Sequence, residues 1–126
     1  MSVDLAWQKA LHTALESALS VPVYDSPPEG ASYPYVTLDR TVSRGEENLA
    51  SRRERHFAFF SAWSVYEGQK EVKEIIEDMR AALHNVRLAL DTGRVAGQLV
   101  TDRDVQADSD GQTYIGSLTV EAIIDP

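Results

Sequence analysis

Apolar residues near the start of the chain recur with a helical period. Counting from Trp7, Ala10, Leu11, Ala14, Leu15, Ala18 and Leu19 fall at offsets 3, 4, 7, 8, 11 and 12, a 3.6-residue stripe. Ser2 stands where an N-cap belongs, and Asp4 suits the positive first turn. Val21-Pro22 should end this helix, because proline pushes its predecessor out of helical angles. A second helix is predicted over Gly68–Leu83. There Val72, Ile75, Ile76, Met79, Ala82 and Leu83 sit at offsets 0, 3, 4, 7, 10 and 11. Lys70–Glu74 and Lys73–Glu77 form i,i+4 pairs on its solvent side, and Asn85 is a plausible stop.

Elsewhere the period is two. Tyr35–Val42 alternates, with Val36, Leu38 and Val42 on one parity and Thr37, Asp39 and Thr41 on the other. Glu54–Tyr66 is apolar on both parities: Phe57, Phe59, Trp63 and Val65 on one, Ala58, Phe60, Ala62 and Tyr66 on the other. Such a strand is either covered twice or presents one face to a partner, and a small-molecule pocket is a further use of it. Arg94–Gln106 and Thr113–Ile124 are two more strands, joined through Asp108-Ser109-Asp110-Gly111, a strong hairpin signal. Val21–Tyr24 is a short extended piece, and Asp25–Ser32 is too proline-rich for regular structure. The order α-β-β-β-α-β-β predicts an α+β domain with an antiparallel sheet of four to five strands and two helices on one face.

Composition narrows the class. The 126 residues and 14.0 kDa fit one domain, residues 1–126. Lys plus Arg number 12 and Asp plus Glu 20, so the formal net charge is 12 − 20 = −8. That balance argues against a phosphate-gripping surface. There is no cysteine, which excludes disulfides and thiolate chemistry. No apolar run is long enough to span a membrane, and the N-terminus lacks a signal pattern.

Templates for catalysis and metal binding are not met. His12, His56 and His84 are scattered and form no His-x-x-x-His pair. No Gly-x-Ser-x-Gly elbow, phosphate loop or dinucleotide fingerprint occurs. The run Asp102, Asp104, Asp108, Asp110 lacks calcium-loop spacing and reads as a solvated hairpin. The segment Ser43–Arg53 is a long, mixed-charge hairpin connection, and loops of that length are often functional. The residues alone lead to an α+β domain with no recognised catalytic template. No cofactor or metal is expected.

One set of residues carries a resemblance. The stretch Pro22-Val23-Tyr24-Asp25-Ser26-Pro27-Pro28-Glu29-Gly30-Ala31-Ser32-Tyr33-Pro34-Tyr35-Val36-Thr37-Leu38 resembles the start of tail-completion, or tail-terminator, proteins of long-tailed bacteriophages and gene transfer agents. Trp63-Ser64, the helix from Lys70 to His84, and Asp110-Gly111 with Tyr114-Ile115-Gly116 follow in matching order. Relatives often carry His where Ile115 stands. The resemblance spans nearly the whole chain.

It implies a non-catalytic structural protein of the virion, assembled in the host cytoplasm. Such proteins form a ring, usually a hexamer, on the head-proximal end of the tail tube. The ring ends polymerisation and meets the head's connector or stopper, and DNA passes through it as cargo. On that resemblance three contact regions are expected. Arg44, Glu46, Glu47, Arg52, Arg53 and Arg55 should reach the major tail tube protein or a neighbouring subunit. Phe60 and Tyr66 should line a subunit seam. The tip Asp108, Asp110 and Gly111 should face the lumen or an axial partner. The alternatives are another neck component, a cellular small-ligand module and a small hydrolase.

Overall fold

The computed structural model describes residues 2–45 and 52–126. Its elements are α1 (Val3–Ala18), β1 (Val23–Tyr24), β2 (Tyr35–Gly45), β3 (Glu54–Ser64), α2 (Lys70–Leu83), β4 (Arg94–Ala107) and β5 (Tyr114–Asp125). The order is the expected one. Ser2 caps α1, its Oγ accepting from the Leu5 N–H at 3.1 Å. Asn85 follows α2 in the left-handed region, at φ 57°, a conformation Asn tolerates beyond a helix C-terminus.

The five strands lie in the order β1-β2-β3-β5-β4. The expectation of a purely antiparallel sheet is corrected at one edge, because β1 pairs with β2 in parallel, Val23 opposite Val36. The loop through residues 25–34 returns the chain to the starting end of β1, which makes the parallel pairing possible. All other pairs are antiparallel.

The helices share one face of the sheet. Trp7, Leu11 and Leu15 of α1 and Val72, Ile76, Met79 and Leu83 of α2 pack on Ala58, Phe60, Ala62, Leu118, Val120, Ala122 and Ile124. The approach is closest at Gly116, where an added Cβ would stand 2.6 Å from Ile76 Cγ1 and 3.0 Å from Val72 Cγ2. A buried polar chain ties the layers together: the Trp7 indole N–H donates to Gln98 Oε1 (3.0 Å), and Gln98 Nε2 donates to the Leu83 carbonyl (2.9 Å). His56 is buried beside Trp7, edge to face at 5.7 Å.

A bulge at Asp39 changes which side of the sheet β2 addresses. Leu38 opposes Phe60, but Arg40 opposes Phe59. Residues paired across an antiparallel ladder share a face, so Val36 and Leu38 look toward the helices while Arg40, Val42 and Arg44 look away. Val42 therefore does not share a face with Val36 and Leu38, as simple alternation would have it.

Candidate interaction surface

The face of the sheet away from the helices carries half-buried aromatic side chains and exposed arginines. On β3 it is made by Phe57, Phe59, Ser61 and Trp63, which alternate with the helix-facing residues of the same strand. Arg40 lies over the Phe59 ring at 5.4 Å, and Arg44 over the Phe57 ring at 5.5 Å. These are cation–π distances. Leu99 of β4 lies on this face, half exposed.

Toward the start of β2 the face becomes an aromatic cluster. Tyr33 stacks on Tyr35 at 5.1 Å, and Tyr24 and Trp63 meet Tyr35 at 5.8 and 6.3 Å. Burial raises the Tyr35 hydroxyl above its ordinary pKa, and the neighbouring Tyr33 and Tyr24 add to the effect. A polar chain fixes the indole. Trp63 Nε1 donates to Thr37 Oγ1 (3.0 Å), Thr37 donates to Asp39 Oδ1 (2.7 Å), and the Ser61 hydroxyl donates to Asp39 Oδ2. Asp39, the bulged residue, thus has both carboxylate oxygens engaged.

The expected contact residues separate to opposite ends of the sheet. Arg44, Arg53 and Arg55 gather where β2 ends and β3 begins, with Arg52 next to them in the chain. Glu46 and Glu47 lie outside the described residues. Arg44 and Arg55 are direct cross-strand partners, a like-charge pairing that costs stability unless relieved. Relief comes from the Phe57 ring for Arg44 and from an ion pair with Glu121 for Arg55. Arg53 Nε meets Asp125 at 2.9 Å, and Arg94 meets the same carboxylate at 2.8 Å. Desolvation pushes Asp125 up, but the hydrogen bonds and charge of Arg94 and Arg53 outweigh it, so it titrates below its ordinary range. Arg53 and Arg55 are therefore engaged within the chain, while Arg52 is exposed and has no ion-pair partner among the described residues.

At the other end, Asp108, Asp110 and Gly111 form the tip joining β4 to β5. Asp110 holds the tip together. Its Oδ1 accepts from the Gln112 and Thr113 N–H groups, both at 2.8 Å, and its Oδ2 from the Thr113 hydroxyl at 2.7 Å. Those bonds, led by the one from the Thr113 side chain, hold its carboxyl below the ordinary range. Gly111 supplies the positive φ of 72° that closes the turn.

The seam expected at Phe60 is corrected. Phe60 is 2% exposed and belongs to the helix-facing core, because β3 turns its even-numbered residues toward the helices. Tyr66 lies past the end of β3 and is 56% exposed. The residues that sequence reasoning missed are Arg40, Leu99 and the Tyr24–Tyr33–Tyr35–Trp63 cluster. Strand alternation could have offered the odd-numbered aromatic residues of β3, but nothing in it announces the bulge that exposes Arg40.

The grooves outside this face offer no assembled chemistry among the described residues. The one between α1 and β1, about 510 Å³, is lined by Leu5, His12, Val23 and Tyr24. His12 there pairs with Glu16 one helical turn away, at 3.1 Å. Among the described residues no three His, Asp or Glu side chains are placed to hold a metal ion. None of the described helices is long and apolar enough to cross a membrane.

Comparison with known proteins agrees with this architecture. Residues 6–125 match the family described as "Tail completion protein gp17". A chain of the solved structure "Virion of native gene transfer agent (GTA) particle" is similar over 99% of this chain and 96% of its own, with a TM-score of 0.78 at 18% identity. At that identity the likeness shows the fold. No curated protein matches the sequence.

Proposed function

This chain belongs to the tail completion protein gp17 family, and from that membership we propose that it forms a ring, with six copies the expected number, on the head-proximal end of a tail tube. It is a structural component of a virion tail. The ring stops tube growth and offers the head connector or stopper a surface to join. DNA passes through as cargo.

The observation that supports this reading best is the end-to-end polarity of the sheet. Arg44, Arg52, Arg53, Arg55 and Arg94 lie at one end, and Asp108 and Asp110 at the other, with a helix-free face between. At the arginine end Asp125 and Glu121 hold Arg53, Arg94 and Arg55, which leaves Arg44 and Arg52 without an ion pair among the described residues. A ring with its strands along the axis presents two different rims, as a part joining two different axial neighbours requires. Arg44 and Arg52 reach the tube or an adjacent subunit. The Asp108–Gly111 tip meets the lumen or an axial partner. The seam between subunits is bordered by the helix-free face on which Phe57 and Phe59 lie, with Tyr66 at its margin. A net charge of −8 keeps DNA from adhering, since phosphates bind cations.

The test adds purified protein to tail tubes of its own particle, followed by light scattering and negative-stain imaging. Rings should cap one end of each tube, and tubes assembled without the protein should overgrow. If the protein stays monomeric in the presence of tubes, the ring is wrong. A ring seen only on the head connector would favour the stopper reading.

A further inference from the structure

Two strand edges of this sheet are open, and they carry opposite charges at the same height. β1 covers β2 only at Val36 and Thr37, so from Arg40 to Gly45 β2 is paired on its β3 side alone among the described residues. β4 is the strand at the far edge, paired only with β5. The register runs straight across the sheet. Arg40 opposes Phe59, Phe59 opposes Thr119, and Thr119 opposes Asp102. One step further, Val42, Phe57, Glu121 and Leu99 form the next row on the same face. β2 and β4 run in opposite directions, since each is related to its neighbours by antiparallel pairing.

We infer that the ring closes edge to edge. β2 of one copy lies antiparallel beside β4 of a second copy, with Arg40 facing that copy's Asp102 and Val42 facing its Leu99. The inference rests on the ring reading and names the contact that builds it. Rotation about an axis parallel to the strands brings these rows together without a change of height. Opposing cross-strand side chains stand about 4.5–5.5 Å apart, within reach of an ion pair. Both charges are available, for neither Arg40 nor Asp102 has an ion-pair partner among the described residues.

The charge pattern also selects this pairing over the others. Two β4 edges together would oppose Asp102 and Asp104 with their own copies, and two β2 edges would oppose Arg40 and Arg44. At the level of Arg40 and Asp102 the mixed contact joins unlike charges, and Arg94, on the same face of β4, is already held by Asp125. A mixed contact is heterologous, the kind from which a ring is built when its rotation closes, where a self-matched one stops at a dimer. The bulge between Val100 and Asp102 lies inside this contact, so the second copy's Arg40 and Val42 span three residues of β4 there, as Thr119 and Glu121 of β5 do on its other side.

The experiment is a charge swap read on tail tubes. Arg40→Asp and Asp102→Arg should each lower ring yield at least about tenfold, the loss expected from 1.4 kcal/mol at a seam. The double variant, with the charges exchanged, should restore it. Circular dichroism and the thermal midpoint of the monomer check that each variant is folded. If wild type forms rings and both single variants do so equally well, the edge pairing is wrong while the ring stands. If the double variant fails to recover, Arg40 and Asp102 are not partners. If wild type forms no ring at all, the ring reading itself falls.

Discussion

Asp110 turns its carboxylate inward on its own hairpin, and this changes the role expected of it. Read from sequence, it was one of several acids at an exposed tip, free to meet a partner. With both oxygens occupied, it shapes the turn that presents Asp108. Its folded pKa lies below the ordinary 3.8, so its stabilisation is complete above that value and is lost as pH falls through the folded one. Asp110→Ala should therefore lower the melting temperature near neutral pH and flatten its fall on acidification below about pH 4. Melting curves across that range check the sign. Phe60 teaches a related lesson. Alternation separates the two faces of β3 correctly, but it does not say which face the helices will cover. Gln98 shows what else stays hidden: the Trp7 indole that donates to it comes from the opposite end of the chain, 91 residues away.

The elements themselves were largely legible, because each has a period strong enough to read. α1, α2, β3 and β5 fall within a few residues of their expected bounds. The parallel β1 was not, since two residues carry no alternation and the pairing is fixed by the loop that follows. The packing of α2 on β5 hangs on a small residue that periodicity marks only as belonging to the inward face. Gly116→Ala would drive a methyl group into Ile76 and Val72. Overpacking of this kind costs about 1–3 kcal/mol. Denaturant titration should show that loss in the midpoint. An unchanged midpoint would mean that α2 can move away from β5 freely.

At the scale of the whole molecule, the surface available for assembly is ample. The chain exposes 7268 Å², so two ring contacts of about 800 Å² each would cover roughly a fifth of it. The axial contact is predicted to depend on Arg44 and Arg52, the arginines of this end that form no ion pair among the described residues. Replacing Arg44 and Arg52 together by Glu should reduce capping of tail tubes by at least about tenfold and leave the monomer folded. Arg53→Glu is a poorer probe, because it would set a carboxylate against Asp125 and disturb the chain itself. A double Arg44/Arg52 variant that caps tubes normally would remove the basic end from the contact. The polarity behind this prediction could not be read from the net charge, which sums over ends that only the strand register separates.

The extra residue at Asp39 bears on how this sequence should be compared with others. A strand without the bulge runs one residue shorter between Leu38 and Arg40 while keeping the same neighbours. Aligning such a strand to this one without a gap at position 39 would match core positions of one protein to surface positions of the other from Arg40 to Gly45. Similarity scored over that stretch would be meaningless, and a shared docking edge would go unnoticed. Placing the gap by strand register brings each arginine opposite its true counterpart.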